Sequence, residues 1–374
     1  MSPAGRARAL AWTAALAVPL VAGAVILVPM AASGAVDLPD KSPAELIEFA
    51  GASEVDALSG TIAQTSALGL PDLDALTGTS GSGDTGPAAP DVADLLALVT
   101  GTHTANVYLD GERARLQVLD PLAERNVYVD GEAGQAWYVD SETQTATRFT
   151  LPAGAEFEQG HSRREDSSAD PAIPTPDRML DDALARLDET TEVTVGTDAR
   201  VAGRDVYELI LTPRTADTLV GDVRFAIDGE NGVALAASVS ARGADEPAFE
   251  IAFTRVSFDA PDPSVFDFTP GEGIAVVDEE LPLPAPEDSA SRANPDAPIV
   301  SGKGWSAVVQ LPGSNGTAEL DAEQRALLEA VTTAVDGGRV LQTSLVSVLI
   351  TDDGRMLAGA VPASRLVEAA QTGR

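Results

Sequence analysis

Val206-Tyr207-Glu208-Leu209-Ile210-Leu211, Val223-Arg224-Phe225-Ala226-Ile227 and Phe249-Glu250-Ile251-Ala252-Phe253-Thr254 decide the fold. They sit in the stretch from Val193 to Phe268, with Leu235, Ala237 and Val239 between the second and the third. Apolar residues recur at every second position, the spacing that turns one face of a strand to a core and the other to water. Asp228-Gly229-Glu230-Asn231-Gly232 supplies a turn with two glycines. The apolar parity then shifts to Val256 and Phe258, which predicts a bulge near Thr254-Arg255. The stretch reads as an antiparallel β-meander with one buried face.

Upstream, residues 102–151 hold a near-repeat. Asn106-Val107-Tyr108-Leu109-Asp110-Gly111-Glu112 recurs as Asn126-Val127-Tyr128-Val129-Asp130-Gly131-Glu132. That spacing fits two strands and two turns, and Asp-Gly at each tip favours a tight hairpin in which the glycine takes positive φ. Two copies make two hairpins, not a solenoid. Ser42-Pro43-Ala44-Glu45 is a capping box ahead of a helix carrying Leu46, Ile47, Phe49 and Ala50. The strand Leu58-Ser59-Gly60-Thr61-Ile62-Ala63-Gln64-Thr65 follows. Residues 77–90 read as a loop, and Asp91 caps a second helix with Val92, Leu95, Leu96 and Val99 on one face. A polar loop over 156–174 leads to a Thr175-Pro176 helix start with Met179, Leu180, Ala183, Leu184 and Leu187 on one face.

Residues 1–35 look like an export segment. Arg6 and Arg8 precede an apolar run from Leu10 to Ala32, and Ser33-Gly34-Ala35 offers a cleavage site. At about 1.5 Å per residue the run also spans a bilayer core of ~30 Å, so a cleaved signal and an uncleaved anchor both fit. Either places residues 36 onward outside the cytoplasm. Residues 36–277 form the main domain, and 278–302 read as an acidic, Pro-rich linker. Residues 303–374 read as a small αβ extension: a strand from Trp305 to Leu311, a helix from Asp321 to Val335, a strand from Val340 to Ile350, a hairpin return from Met356 and a helix at Leu366 to Ala370. It either docks on the main sheet or stands as its own unit.

The charge excludes several functions. The 374 residues carry 58 acids against 24 bases, a net charge of −34, and Lys41 and Lys303 are the only lysines. Such a surface repels phosphate backbones and anionic membrane surfaces. With no cysteine there is no disulfide, thiol nucleophile or thiolate metal ligand. His103 and His161 are the only histidines and lack the short spacing of a metal-binding pair. No nucleophile elbow, phosphate-binding loop or dinucleotide fingerprint occurs. No catalytic residue, metal or cofactor is expected.

What remains is shape: an α+β fold in which a strongly curved antiparallel sheet, an incomplete β-barrel, carries helices on its concave face. In this respect the chain resembles the LolA-like superfamily, the lipoprotein carriers and the RseB/MucB regulators of envelope stress. The resemblance rests on the capped helix at Ser42 to Ala50, the strand from Leu58 to Gln64, and Val201-Ala202-Gly203-Arg204-Asp205-Val206-Tyr207-Glu208-Leu209 leading into Leu211-Thr212-Pro213. Phe253-Thr254-Arg255-Val256-Ser257-Phe258 and the closing Phe266-Asp267-Phe268-Thr269-Pro270-Gly271-Glu272-Gly273 complete it. It covers about residues 40 to 277, and the arginine-rich, lysine-poor composition looks actinobacterial.

The resemblance implies a non-enzymatic, extracytoplasmic carrier whose apolar cavity takes the acyl chains of lipids or lipoproteins. The alternative is an RseB-like sensor that binds an anti-sigma factor or another membrane protein. The expected cavity residues are Ile62, Leu116, Val118, Trp137, Val139, Leu209, Leu211, Phe225, Ile227, Phe249, Ile251 and Phe253, with Met179, Leu180 and Leu184 on the lid. The other outcome for these residues is a closed core. Arg113, Arg115 and Arg125 are the candidates for the family's lid-locking arginine.

Overall fold

The computed structural model describes residues 36–69, 101–119, 123–150, 175–280, 299–311, 329 and 331–372. The export segment, the loop at 77–90, the Asp91 helix, the polar loop with His161 and most of the Asp321 helix lie outside the described residues.

The first hairpins come from β1 (Ala57–Ser66), β2 (Gly101–Asp110), β3 (Arg113–Leu119), β4 (Glu124–Asp130), β5 (Gln135–Asp140) and β6 (Thr145–Thr150). The later meander comprises β7 (Thr191–Val195), β8 (Ala199–Val201), β9 (Arg204–Pro213), β10 (Val220–Asp228), β11 (Ala234–Ala241), β12 (Pro247–Ser257) and β13 (Ala275–Glu280). Together they form a thirteen-stranded sheet ordered β13-β6-β5-β4-β3-β2-β1-β12-β11-β10-β9-β7, with β8 paired to β9. β1 is the seam, hydrogen-bonded to β2 on one side and β12 on the other. The two ends of the order are not paired, so the sheet is an incomplete barrel.

Among the described residues two helices accompany it. Helix α1 (Pro43–Gly51) has the predicted capping box, with Ser42 and Glu45 satisfying each other's backbone amides. Helix α2 (Pro176–Ala185) starts at a Thr175 cap. Leu46 and Ala50 of α1 and Leu180 of α2 are fully buried in the main core with Leu209, Phe225 and Ile227. Phe49 meets Tyr207 edge-on at 6.3 Å, which places α1 on the face shared by Tyr207, Leu209 and Leu211. That face is called inner below. Gly232, at φ 83°, lets the β10–β11 turn lie against α1: a Cβ there would stand 2.7 Å from the Phe49 carbonyl oxygen.

The bulge falls where the parity shift puts it. Thr61 pairs with Arg255 and Ile62 with Phe253, so Thr254 is the extra residue. Its hydroxyl donates to the Thr61 carbonyl at 3.1 Å. The hairpin tips differ from expectation at one point. Gly111 has φ 60°, but at the second tip Gly134 takes the positive φ, not Gly131. The Asp130 carboxylate, by accepting from the Ala133 amide at 2.8 Å, draws the turn out to four residues.

Beyond the main sheet lie β14 (Ile299–Ser301), β15 (Val308–Leu311), β16 (Thr333–Val335), β17 (Gly338–Gln342), β18 (Ser347–Thr351), β19 (Met356–Gly359) and helix α3 (Ala363–Thr372). They form a separate six-stranded antiparallel sheet ordered β14-β15-β19-β18-β17-β16, with Leu366 and Ala370 of α3 packed on Val340, Leu349 and Leu357. The extension therefore has its own core, and it also docks. Leu219 donates to the Ala360 carbonyl at 2.8 Å, the Trp305 indole donates to Thr191 Oγ1 at 2.9 Å, and Leu345 enters the main core.

Several boundaries move. Ile299 to Ser301, expected in the linker, form β14, and the strand expected from Trp305 starts only at Val308, after a 3-10 turn over Gly304–Ser306. The expected strand from Val340 to Ile350 is two strands, because Thr343 Oγ1 accepts from the amides of Leu345 (3.2 Å) and Val346 (2.9 Å) and makes a turn. Val335 belongs to β16, since Asp336-Gly337, with Gly337 at φ 83°, closes a two-residue hairpin to β17. Asp278 to Glu280, expected to open the linker, finish β13, which pairs with β6 in parallel.

Candidate functional site

Strand register sorts the expected cavity residues onto two faces. Leu211, Leu209 and Tyr207 oppose Val223, Phe225 and Ile227. Phe225 continues to Ala237 and Ile251, and Val239 continues to Phe249. Phe253 opposes Ile62, Ile62 opposes Ala105, and Ala105 opposes Val118. This is one continuous inner face. Ile62, Leu209, Leu211, Phe225, Ile227, Ile251 and Phe253 are at most 3% exposed and belong to one core with Leu180. Phe249, Met179 and Leu184 are half-buried against it. At the β7–β12 end the inner face is thus closed by its own side chains and the helices.

The β2–β6 end is packed differently. Leu116 and Val118 are 7% exposed and still join the main core. Beyond them a separate small cluster of Ala114, Val129 and Ala136 is flanked by half-buried Leu109, Val127 and Phe149. Tyr138 opposes Val127 and is half-buried as well. Alanines and valines stand here where phenylalanines and leucines stand at the other end, and Leu109 and Val127, which also touch the main core, stay half-buried. Arg125, opposite Val118, lies on this inner face. Arg113 and Arg115 do not.

Trp137 and Val139 also depart from expectation: both point outward. Trp137 opposes Tyr128, and Tyr128 opposes Arg115. Val139 opposes Asn126. Strand β5 reads Ala136-Trp137-Tyr138-Val139, apolar on both faces, so parity could not assign its sides. The outer face here is a track of rings and guanidinium groups, in cross-strand order Tyr108, Arg115, Tyr128, Trp137 and Arg148. Arg115 stands 4.8 Å from the Tyr128 ring centre, and Arg148 stands 5.6 Å from that of Trp137. Burial pushes the Tyr128 phenol up from its ordinary pKa, against the opposing pull of Arg115.

Two cavities of about 240 Å³ lie elsewhere. One is lined by Leu38, Lys41, Asp198 and Tyr207, the other by Asp336, Thr351, Asp353 and Arg355. Lys41 covers the rings of Phe49 and Tyr207 at 4.7 and 5.6 Å, which accounts for its place at the first cavity as a packing contact. Among the described residues no group of three or more His, Asp or Glu could hold a metal ion, and no helix is long and apolar enough to cross a membrane.

No protein-family model matches the chain, and no curated protein matches it. Among solved structures it is similar to MucB in the Pseudomonas aeruginosa MucA/MucB complex, at 16% identity and a TM-score of 0.41 over 87% of this chain and 94% of that one. A crystal structure of MucB gives 14% identity and a TM-score of 0.40 over 88% and 96%. A LolA superfamily protein from Nitrosomonas europaea gives 12% identity and a TM-score of 0.22 over 61% and 99%.

Proposed function

We propose that the chain is an extracytoplasmic, non-enzymatic binding protein that holds the hydrocarbon chains of lipids or lipoproteins against the inner face of β2–β6. The observation that carries this reading is the half-buried apolar surface of Leu109, Val127, Tyr138 and Phe149, set beside a closed core on the same sheet. A surface of this kind needs no polar motif. Each buried methylene is worth ~0.8 kcal/mol, so a dozen contribute on the order of 10 kcal/mol before ordering costs. The placement outside the cytoplasm rests on the basic-then-apolar order of residues 6–32.

Native mass spectrometry after mild extraction tests it. Retained lipid, and a lipid-dependent rise in melting temperature that Phe149→Glu abolishes, are expected. A protein that never retains lipid and shows no such rise loses the carrier reading. Co-purification of a single-pass membrane protein without lipid would favour a sensor instead.

A further inference from the structure

The segment after β12 crosses the outer face. Residues 258–274 run from the end of β12 over β3 and β4 and deliver β13 to the edge of β6. Four contacts seat it on the outer face around the ring-and-guanidinium track. Phe268 stacks on Tyr128 at 5.1 Å and meets Trp137 edge-on at 5.2 Å. Arg113 lies 5.0 Å from the Phe266 ring centre. Arg115 Nη1 donates to the Val265 carbonyl at 3.1 Å.

Platform and segment are built unequally. Asn126 is 3% exposed and its Oδ1 holds Arg115 through two bonds of 2.9 and 3.2 Å. Asn126 in turn donates to Glu124 at 2.9 Å, and Gln117 donates to Glu124 at 3.1 Å. Asn106 donates to Gln117 at 3.1 Å, and Thr61 donates to Asn106 at 3.0 Å. This chain of bonds spans β1 to β4 and uses nothing from the segment, so the platform keeps its shape without it. Beyond Phe258, which packs on the main core, the segment has no buried residue between 259 and 279 and joins no core cluster. β13 is the one parallel pairing among the described residues, a less stable arrangement per residue. Its ion pair, Asp278 to Arg148 at 2.6 Å, is 66% and 46% exposed, and pairs so exposed contribute little. Segments with few buried contacts open locally at low free energy.

We propose that the outer face of β2–β6 is a peptide-binding surface that residues 265–280 occupy in cis, and that it takes in trans an extended segment of another protein with the same pattern. The occupant on view defines that pattern: two aromatic side chains two residues apart, then an acidic strand that pairs with the β6 edge and sets a carboxylate opposite Arg148. The track holds Arg115 and Arg148, and Arg148 meets Asp278 of the present occupant, which favours an acidic partner segment over a basic one. A free sheet edge is a template for strand addition. The surface is opposite the proposed lipid-binding face, so the two proposals stand or fall separately.

The test uses the full chain and a fluorescent peptide of residues 263–280. A site filled in cis binds in trans with an affinity lowered by the fraction that is open. Phe266→Ala with Phe268→Ala should therefore bind the peptide about tenfold or more tightly than the unmodified chain. Adding Arg115→Ala or Trp137→Ala should remove that gain. Hydrogen exchange on the unmodified chain should show the amides of β13 opening well before those of β9 to β12. The proposal is overturned if the double variant keeps native protection in β9 to β12 yet binds the peptide no better, or if β13 exchanges only with the whole sheet. A dimer that exchanges residues 265–280 and binds no peptide would overturn the partner and put a second copy of this chain in its place.

Discussion

The two ends of the main sheet use the same register and the same period-two alternation, yet they bury different things. From β9 to β12 the inner face carries Leu209, Leu211, Phe225, Ile227, Ile251 and Phe253 beneath Leu46 and Leu180, all at 3% exposure or less. From β4 to β6 it carries Val129, Ala136 and half-buried Val127 and Phe149. The outer faces differ in the opposite sense, with small Ala226, Ala236 and Ala252 at one end and the track of rings and arginines at the other. One end is a scaffold whose stability comes from close packing. The other presents surfaces on both sides.

That difference is broken most directly at Phe225. Phe225→Ala removes a ring that is 1% exposed and should cost about 3–5 kcal/mol in urea unfolding. Phe149→Ala, at the open end, should cost about 1 kcal/mol, because part of that ring already meets solvent. Equal losses would mean that the two ends are one core.

Arg204→Ala comes next. Asp228 is fully buried, holds Arg204 by two bonds and accepts from the amides of Glu230 and Asn231 at 3.0 and 3.1 Å. Removing the arginine leaves a buried carboxylate without its cation, at about 3 kcal/mol. The second partner of Arg204, Glu230, is too exposed to compensate. A loss under about 1 kcal/mol would show that the turn amides alone satisfy Asp228.

Asn126→Leu tests the open end from its polar side. The substitution strips Arg115 and Glu124 of a shared partner and should cost about 2 kcal/mol. Faster hydrogen exchange in β13 should accompany it, since Arg115 then no longer aims at the Val265 carbonyl. Unchanged exchange there would detach the segment from the polar chain beneath it.

Much of the scaffold end could be read from residue order. Thr254 announced itself because a single extra residue shifts the inward parity, so that Phe253 and Val256 share one face, and parity is visible wherever one face is polar. Ser42 and Glu45 fixed the start of α1 for the same local reason. The open end resisted. In β5 both faces are apolar, so Trp137 and Val139 carried no sign of side. β13 is Ala-Val-Val-Asp-Glu-Glu, more acidic than most strands, and its partner β6 lies 130 residues earlier in sequence. Nothing local marks such a pairing. The inner apolar set was found as a list, but whether a given leucine is core or open surface depends on which helix covers it.

The smallest expected effect lies at Glu250, on the outer face of the scaffold end between Ser238 and Thr65. Burial raises its carboxyl pKa. Arg224, in the same cross-strand row through Ser238, is already engaged by Asp222 at 2.7 Å and Glu208 at 3.2 Å. A folded-state pKa above the unfolded one means that ionisation costs stability. The cost is absent at acid pH, where both states are protonated, grows as pH rises through the ordinary carboxylate range, and is complete above the folded value. Glu250→Gln should therefore leave stability unchanged at acid pH and raise it at neutral pH, by less than about 0.5 kcal/mol. Paired urea melts at the two pH values read this directly. A variant less stable at neutral pH would reveal a cation serving Glu250, and the outer face of the scaffold end would then bind charge as the other end does.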